Sequence, residues 1–351
     1  MVDAQPKFPG SMKAPPESRQ SAFANALAEL RAGRIERAEA LCNRILDSTP
    51  DDPAAHQLAA TIALQRGRIG DAARWANSSL TLRPDHPPTL IIAARAARAA
   101  GDIAQSKTRL ERARYLAPDR PEPAFLSCLT LIGSENGVAP SVLEDLSLRF
   151  PDFVDGWRDL GNALRKADQP ETAVLAFSRA AESSADPSDY AQLGAALRAI
   201  NRPQEAIIYF RRALEASPDL AEARVALAAC LRQVGELPSA RVELERAVGA
   251  RPADGHAWFA LGLVCEDMRD TIGAIAAYQR SIETRPDFPE AHVNLGLNLQ
   301  NSGDLDAAID SYKRAMRLRT DTFGRIAQAL TSAKKGRLWL DLARLRRFLE
   351  A

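Results

Sequence analysis

Residues 291–316 read AHVNLGLNLQNSGDLDAAIDSYKRAM and contain two short amphipathic segments on either side of Gly303. In both segments apolar residues recur three and four positions apart, which predicts a helix, a turn and a second helix. Small residues nevertheless occupy the faces that should bury most surface, Gly296 in the first segment and Ala308 in the second. Glycine inside a helix costs about 1 kcal/mol relative to alanine, so its place here indicates close packing of the two helices.

The layout of this stretch recurs along nearly the whole chain of 351 residues, in steps of 33 or 34 residues. An internal repeat on this scale overrides the two domains that length alone suggests. We number the repeats one to nine and count positions from the first residue of each. The repeats begin at Arg19, Pro53, Pro87, Arg120, Val154, Pro187, Ala221, Gly255 and Pro289.

Two positions hold a small residue in every repeat. Because packed helices lie about 8–10 Å apart, depending on the side chains at the crossing, these columns predict that the two helices of a repeat approach closely. The eighth position holds Ala26, Ala60, Ala94, Ser127, Gly161, Gly194, Ala228, Gly262 and Gly296. The twentieth position holds Ala38, Ala72, Ser106, Ala139, Ala173, Ala206, Ala240, Ala274 and Ala308.

Two further positions mark the turns. The fifteenth position favours Gly, Asn and Asp, the residue types that tolerate the left-handed conformation at a helix end. Its members are Gly33, Gly67, Gly101, Ser134, Asp168, Asn201, Gly235, Arg269 and Gly303. The thirty-second position is proline in seven of the nine repeats. Proline cannot continue a helix, so this column predicts where each second helix stops.

Repeats six and eight resemble the tetratricopeptide repeat family, whose pattern is an aromatic residue, then Leu-Gly, and later Ala, an aromatic residue and Pro. Repeat eight matches at Trp258, Leu261, Gly262, Ala274, Tyr278 and Pro286, and repeat six at Tyr190, Leu193, Gly194, Ala206, Phe210, Ala213 and Pro218. Repeats one to three lack the aromatic residues, and repeat four departs furthest. The resemblance covers residues 19–322. It implies an all-α, right-handed superhelical solenoid of about nine helix-turn-helix repeats.

The two ends of the chain differ from the repeats. Residues 1–18 contain four prolines among polar residues, a composition that predicts a disordered tail. Residues 323–351 predict two capping helices, because the last repeat of a solenoid has no successor to bury its exposed face. A leucine stripe for this packing is formed by Leu338, Leu342, Leu345 and Leu349.

Composition and motifs favour a non-catalytic protein. Forty-six basic and 45 acidic side chains leave a net charge of +1, so the chain as a whole does not attract nucleic acid or anionic membranes. The sequence has no HExxH, GxxxxGK[ST] or GxSxG motif, and its four histidines are scattered. We therefore predict no catalytic residue, no metal and no cofactor. The four cysteines form no CxxC pair, and no apolar segment has the length of a signal peptide or membrane span, so we expect a cytoplasmic protein with buried thiols.

The resemblance implies that one face of the first helices lines a concave groove in which family members bind extended peptides. In this chain the twelfth position of that face is arginine in repeats three, five, six and seven. Arginine pairs well with carboxylates and phosphates, so we expect a protein or peptide partner of acidic character. The candidate partner-binding residues are Arg95, Arg98, Arg158, Asn162, Arg165, Lys166, Arg198 and Arg232.

Two other functions stay open at this point. The chain could be a regulatory or substrate-recruiting subunit of a separate enzyme such as a transferase, as the resemblance allows. It could also bind nucleic acid through residues 323–351, which contain seven basic and two acidic side chains, although we favour a solvated cap face as the explanation of these charges. The interpretation that we favour is a scaffold or adaptor that binds an acidic or extended peptide segment in its groove.

Overall fold

The structure is a computed structural model that describes residues 19–132, 137–332 and 342–350. Within these ranges it contains 20 α-helices and one short 3-10 helix, and no strand. The chain forms two compact units, Met1–Gly156 and Trp157–Ala351. The predicted tail, residues 1–18, lies outside the described residues.

The first compact unit contains the helices of repeats one to four. They are α1 (Arg19–Arg31), α2 (Ile35–Ser48), α3 (Pro53–Gln65), α4 (Ile69–Leu82), α5 (Pro87–Ala99), α6 (Ile103–Leu116), α7 (Glu122–Leu131) and α8 (Pro140–Arg149). Each of the first three repeats is a hairpin of two packed helices, and each second helix also contacts the first helix of the next repeat.

The second compact unit contains almost all of α9 and the helices that follow. They are α9 (Val154–Lys166), α10 (Pro170–Ser183), α11 (Pro187–Ala199), α12 (Pro203–Ala216), α13 (Ala221–Gln233), α14 (Leu237–Ala250), α15 (Gly255–Asp267), α16 (Thr271–Thr284), α17 (Pro289–Ser302), α18 (Leu305–Leu318), α19 (Phe323–Ser332) and α20 (Leu342–Glu350). A 3-10 helix, Thr320–Thr322, joins α18 to α19. From α10 to α17 every described helix packs on the next one in sequence.

Eight of the nine predicted repeat starts coincide with the first residue of a helix. Repeat four is the exception, because α7 begins at Glu122 instead of Arg120. The prediction that its twentieth position packs between two helices is also wrong, because Ala139 is exposed, extended and outside α8. The physical reason is Pro140, since the ring of a proline disfavours the helical conformation in the residue before it.

The turn inside each hairpin is left-handed, as predicted. The fifteenth-position residues other than Ser134, which lies outside the described ranges, all have φ between 57° and 99°. Three of them are not glycine: Asp168, Asn201 and Arg269. Asp and Asn tolerate this conformation through local hydrogen bonds, whereas Arg269 has no such compensation.

The small residues of the eighth position lie in the helix–helix joint, and what they face depends on their size. Where the residue is glycine, an aromatic ring at the twenty-fourth position packs directly on it: a Cβ on Gly161 would lie 2.8 Å from the ring of Phe177. Phe210, Tyr278 and Tyr312 cover the other three glycines in the same way. Repeats with alanine at the eighth position have a smaller residue at the twenty-fourth: Cys42, Ala76, Leu110 and Leu244. In repeats three and seven, alanine with leucine fills about the same volume as glycine with an aromatic ring, whereas the pairs of repeats one and two are smaller.

The C-terminal helices cover the last repeat. Leu345 and Leu349 of α20 are fully buried, and α20 packs against α18 and α19. Helix α19 contacts α17 and buries Ile326 and Leu330. Leu338 and Trp339 lie outside the described residues.

Candidate partner-binding surface

The first helices of successive repeats lie side by side within each compact unit. Helices α1, α3, α5 and α7 contact one another in order, and so do α11, α13 and α15. The candidate residues lie on α5, α9, α11 and α13, which are the first helices of repeats three, five, six and seven. The candidate residues therefore sit along a row of neighbouring helices, and their individual surroundings decide which of them a partner can reach.

Arg158 is committed to a contact between repeats. Its Nε and Nη2 donate to the two carboxylate oxygens of Asp189 on α11, at 2.6 and 2.7 Å, and Nη2 also reaches Asp186 at 3.2 Å. The Asp189 side chain is only 2 % exposed. Burial alone would raise the pKa of that carboxyl, but hydrogen bonds from Arg158 and Ser184 outweigh it and lower the pKa.

Arg165, Lys166 and Arg198 are exposed on α9 and α11. Arg165 donates to the Asn162 side-chain oxygen at 3.2 Å, a neutral partner that leaves its charge uncompensated. Within the described ranges, none of these three cations lies in an ion pair with a carboxylate. They form the basic part of the first-helix face in the second compact unit.

Arg232 on α13 pairs with a carboxylate of its own chain and remains partly exposed. Its guanidinium pairs with the Asp267 carboxylate of α15, with Nε 2.5 Å from the nearer oxygen, and this hydrogen bond raises the pKa of Arg232. The arginine side chain remains 38 % exposed. Gln233, next to it, donates to the Asn201 side chain at 2.5 Å, so this part of the face is bridged from repeat to repeat.

Arg95 and Arg98 lie in the first compact unit, on α5. Both are exposed, and neither pairs with a carboxylate in the described part of the chain. They belong to the first compact unit, whereas Arg158, Arg165, Lys166, Arg198 and Arg232 belong to the second.

At the C-terminal end of this row of first helices, side chains of the protein hydrogen-bond to one another. Tyr278 donates to Glu266 at 2.8 Å, and Asn294 and Asn298 donate to Tyr278 and Glu266 at 3.3 Å each. Arg325 of α19 donates to the side-chain oxygen of Asn294 at 3.0 Å. Burial raises the pKa of Tyr278, so the phenol stays a donor. These groups hydrogen-bond to one another, and Asn294 and Asn298 are buried.

Reactive chemistry is not evident in the described residues. The four cysteines are buried and unpaired, and burial raises the pKa of Cys42 to about 12 and of Cys128 to about 11, so neither is a ready nucleophile. The described residues contain no group of three or more His, Cys, Asp or Glu that could hold a metal ion. Nor do they contain a helix with the length and apolar character needed to cross a membrane.

One feature of the surface is absent from the prediction. A cavity of about 680 Å³ lies between α12, α13 and α14 and is lined by none of the candidate residues. One residue in the sequence pointed to this cavity. Arg224 occupies the fourth position of repeat seven, where repeats five, six and eight have the aromatic residues Trp157, Tyr190 and Trp258.

Comparison with known proteins agrees with the fold. Two sequence profiles of the Tetratricopeptide repeat family match the chain, one at residues 198–262 and the other at residues 13–87 and 266–321. The comparison with curated proteins gives no match.

Several solved structures align with about half of this chain. A crystal structure of MamA is 24% identical, with a TM-score of 0.44 over 46% of this chain and 96% of that one. MamA from Desulfovibrio magneticus RS-1 is 25% identical, with a TM-score of 0.45 over 48% and 96%. YrrB, described as a TPR protein with an unusual peptide-binding site, is 19% identical, with a TM-score of 0.45 over 56% and 100%.

The matched profiles together span more than half of the chain, and apart from the steps into and out of repeat four the first helices begin 33 or 34 residues apart. The chain therefore belongs to the tetratricopeptide repeat family, an all-α solenoid fold that acts as a scaffold for protein and peptide partners.

Proposed function

We propose that the protein is a non-catalytic adaptor that binds an acidic, extended peptide segment on the first-helix face of its second compact unit. The observation that carries this proposal is the group of exposed cations Arg165, Lys166 and Arg198, which no carboxylate of the described residues neutralises. We also propose a cytoplasmic location, which four unpaired buried cysteines support.

The contrast with other arginines supports a binding role. Arg66, Arg112 and Arg241 each bridge to a carboxylate of a neighbouring repeat at 2.8–3.0 Å. A cation with such a partner contributes to the joint between repeats, whereas Arg165 and Arg198 have their donors available. Two arginines in the same register on neighbouring first helices can each take a carboxylate of one extended segment.

The ordered helices contribute as much to binding affinity as the charges do. An exposed ion pair is worth only about 0.2–1 kcal/mol, so a few arginines alone do not give tight binding. Helices that are already ordered spare the complex the cost of fixing its own side of the interface. Arginines at the rim then govern association rate and selectivity for negative charge, and their effect falls with ionic strength.

The test uses labelled twelve-residue peptides of equal length, one rich in Glu, one with the same residues replaced by Gln, and one rich in Lys. Fluorescence anisotropy at low and at physiological salt measures their affinity for the intact protein. We expect binding only of the acidic peptide and a clear loss at higher salt. The variant R165E/R198E should weaken it by about tenfold or more, which corresponds to about 1.4 kcal/mol.

A charge-matched control is available on a second helix. Lys107 and Arg114 of α6 are exposed and pair with no carboxylate of the described ranges, so K107E/R114E changes the net charge equally while leaving the first-helix face intact. Equal weakening by the two double variants would show a general charge effect and would contradict the proposed site.

A further inference from the structure

Arg83, which follows the last residue of α4, has two guanidinium nitrogens without a hydrogen-bond partner. Its Nε and Nη2 atoms are buried, and no acceptor among the described residues reaches them. These two atoms form the edge of the guanidinium that binds both oxygens of a carboxylate. In Arg112 the same edge binds Asp85, with Nε at 2.9 Å and Nη2 at 2.8 Å. A buried charged donor without an acceptor costs free energy, so an acceptor is expected beside Arg83.

The arginine at the corresponding position of repeat nine has such acceptors. Arg83 holds the thirty-first position of repeat two, and Arg319 holds it in repeat nine. Arg319 pairs with Glu290, the second residue of its own repeat, at 2.9 Å. It also pairs with Asp321, two residues further along the chain, at 2.7 Å. The guanidinium of Arg319 is therefore held by two carboxylates of its own chain.

Repeat two offers neither of these carboxylates to its arginine. Its second residue is Ala54, which carries no charge. The carboxylate two residues after Arg83 is that of Asp85, and Arg112 already binds both of its oxygens. An oxyanion from outside the chain can therefore take the place beside Arg83 that Glu290 takes in repeat nine.

His86 adds a second donor close to Arg83. Its Nδ1 lies 2.9 Å from the hydroxyl oxygen of Thr89, which is fully buried, so this contact holds the ring in place. The other ring nitrogen, Nε2, makes no hydrogen bond within the described part of the chain. Burial lowers the pKa of His86, and the positive charges of Arg83 and Arg120 lower it further. Three basic side chains thus lie within electrostatic reach of one another.

The carboxylates next to these residues in sequence leave the group positively charged. Asp85 is bound to Arg112, and Asp119 is exposed, where water and salt screen its charge. Residues 53–119, which form repeats two and three, contain ten basic and five acidic side chains. The net charge of the whole chain is only +1, so this part of the molecule attracts anions.

We propose that Arg83, His86 and Arg120 bind a phosphate group. The free edge of Arg83 fits two of its oxygens, protonated His86 can donate to a third, and Arg120 supplies further positive charge. A dianion matches these charges better than a single carboxylate does. The side chain of Arg83 is half-buried, so a turn of its guanidinium presents the free edge at the surface. The site lies outside the first-helix face and does not rest on the function proposed for it.

The experiment is an NMR titration of the histidine rings in the full chain at constant ionic strength. The probe is inorganic phosphate, and acetate is the carboxylate for comparison. We expect a saturable shift of the His86 signals with phosphate and a rise in the pKa of His86, because a bound anion favours the imidazolium form. His256 is the internal control, since it lies beside Arg285, whose carboxylate neighbour is Asp287 at 3.6 Å. Its signals should not respond.

Ala54→Glu places in repeat two the carboxylate that Glu290 provides in repeat nine. It should occupy the free edge of Arg83, abolish the phosphate-dependent shift and raise the melting temperature. Ala54→Gln has the same size without the charge and should retain most of the binding. Arg83→Gln should weaken phosphate binding by about tenfold or more. R165E/R198E should leave the affinity unchanged, which separates this site from the first-helix face.

A peptide with one phosphoserine between uncharged residues identifies the source of the phosphate. Tighter binding of this peptide than of inorganic phosphate would assign the site to a phosphorylated partner, and weaker binding would assign it to the free ion. The inference is overturned if His86 shows no saturable shift at millimolar phosphate, or if acetate binds equally well. It is also overturned if His256 responds as His86 does, or if the shift persists in Ala54→Glu and Arg83→Gln.

Discussion

At the scale of single residues, stability depends on pairs of residues that together fill the joint between the two helices of a repeat. Gly161 and Phe177 are such a pair, since the fully buried ring lies where a Cβ on the glycine would be. Repeat seven solves the same joint with Ala228 and Leu244. The small residue was apparent from its column, but the ring that covers it lies 16 residues away on another helix.

Gly161→Ala should therefore destabilise the protein by about 1–3 kcal/mol through overpacking, less the gain in helix propensity of up to about 1 kcal/mol. Adding Phe177→Leu, which imitates repeat seven, should restore part of the loss. Chemical denaturation measures both. Gly249→Ala is the matched control, because a Cβ there meets no atom within 4 Å and only the propensity gain remains. Equal effects of the two alanine substitutions would contradict the packing argument.

Arg269 gives a second test at this scale. Its φ of 61° is left-handed and costs a residue with a Cβ about 1–2 kcal/mol. Arg269→Gly should raise the free energy of unfolding by about 0.5–1 kcal/mol, reduced from the full strain by the greater freedom of glycine in the unfolded chain. Arg269→Ala keeps the Cβ and should gain little. If both variants have the same stability, strain at this turn is not significant.

At the scale of helices, the joints between repeats combine apolar packing with ion pairs that cross from one repeat to the next. The buried carboxylate of Asp189 on α11 receives Arg158 from α9. Removing one partner of such a pair costs more than the pair contributes, because the remaining charge is left buried. The sequence analysis placed Arg158 among the candidate partner-binding residues, whereas in the structure its guanidinium joins two repeats.

Arg158→Met should lower the free energy of unfolding at pH 7 by about 2 kcal/mol, less than for a fully buried pair because a third of the arginine is exposed. In the wild type the pKa of Asp189 is lowered, so the pair stabilises fully above the unfolded carboxyl pKa of about 4 and loses its effect as pH falls below it. In the variant, burial favours the protonated acid. The stability difference should therefore shrink between pH 7 and pH 4 in denaturation curves.

The double variant R158M/D189N is the control for that experiment. It removes the buried charge together with its partner, so its stability should lie above that of Arg158→Met, and the difference between it and the wild type should stay constant between pH 7 and pH 4. A pH-independent deficit in the single variant would mean that lost packing, not the ion pair, dominates.

At the scale of the whole chain, stability is local, because each repeat contacts only its neighbours. Helix α20 protects the last repeat by packing Leu345 and Leu349 against α18 and α19. The polar residues of α17 depend on α19 as well, since Gln300 donates to the Ala329 carbonyl at 3.0 Å.

Deleting residues 342–351 should accordingly speed hydrogen exchange in α17 and α18 while α11 to α14 keep their protection. Leu349→Ala should reproduce part of this effect, and Arg347→Ala, which changes an exposed side chain, should not. A uniform loss of protection from α11 to α18 would show that the second compact unit unfolds as one cooperative body instead of repeat by repeat.

Local sequence patterns were enough to predict the helical hairpins, their period and the left-handed turns at Gly303 and its counterparts. These features depend on residues within a few positions of one another, so periodicity and turn chemistry suffice to predict them. The prediction failed in repeat four, where Pro140 keeps Ala139 out of the helix.

Which arginines are available to a partner, and where the cavity lies, could be learned only from the folded structure. Arg158 and Arg232 find their carboxylates 31 and 35 residues away, and the space beside Arg224 exists because α12 and α14 are brought together around it. Contacts between repeats depend on three-dimensional stacking, which no local pattern records.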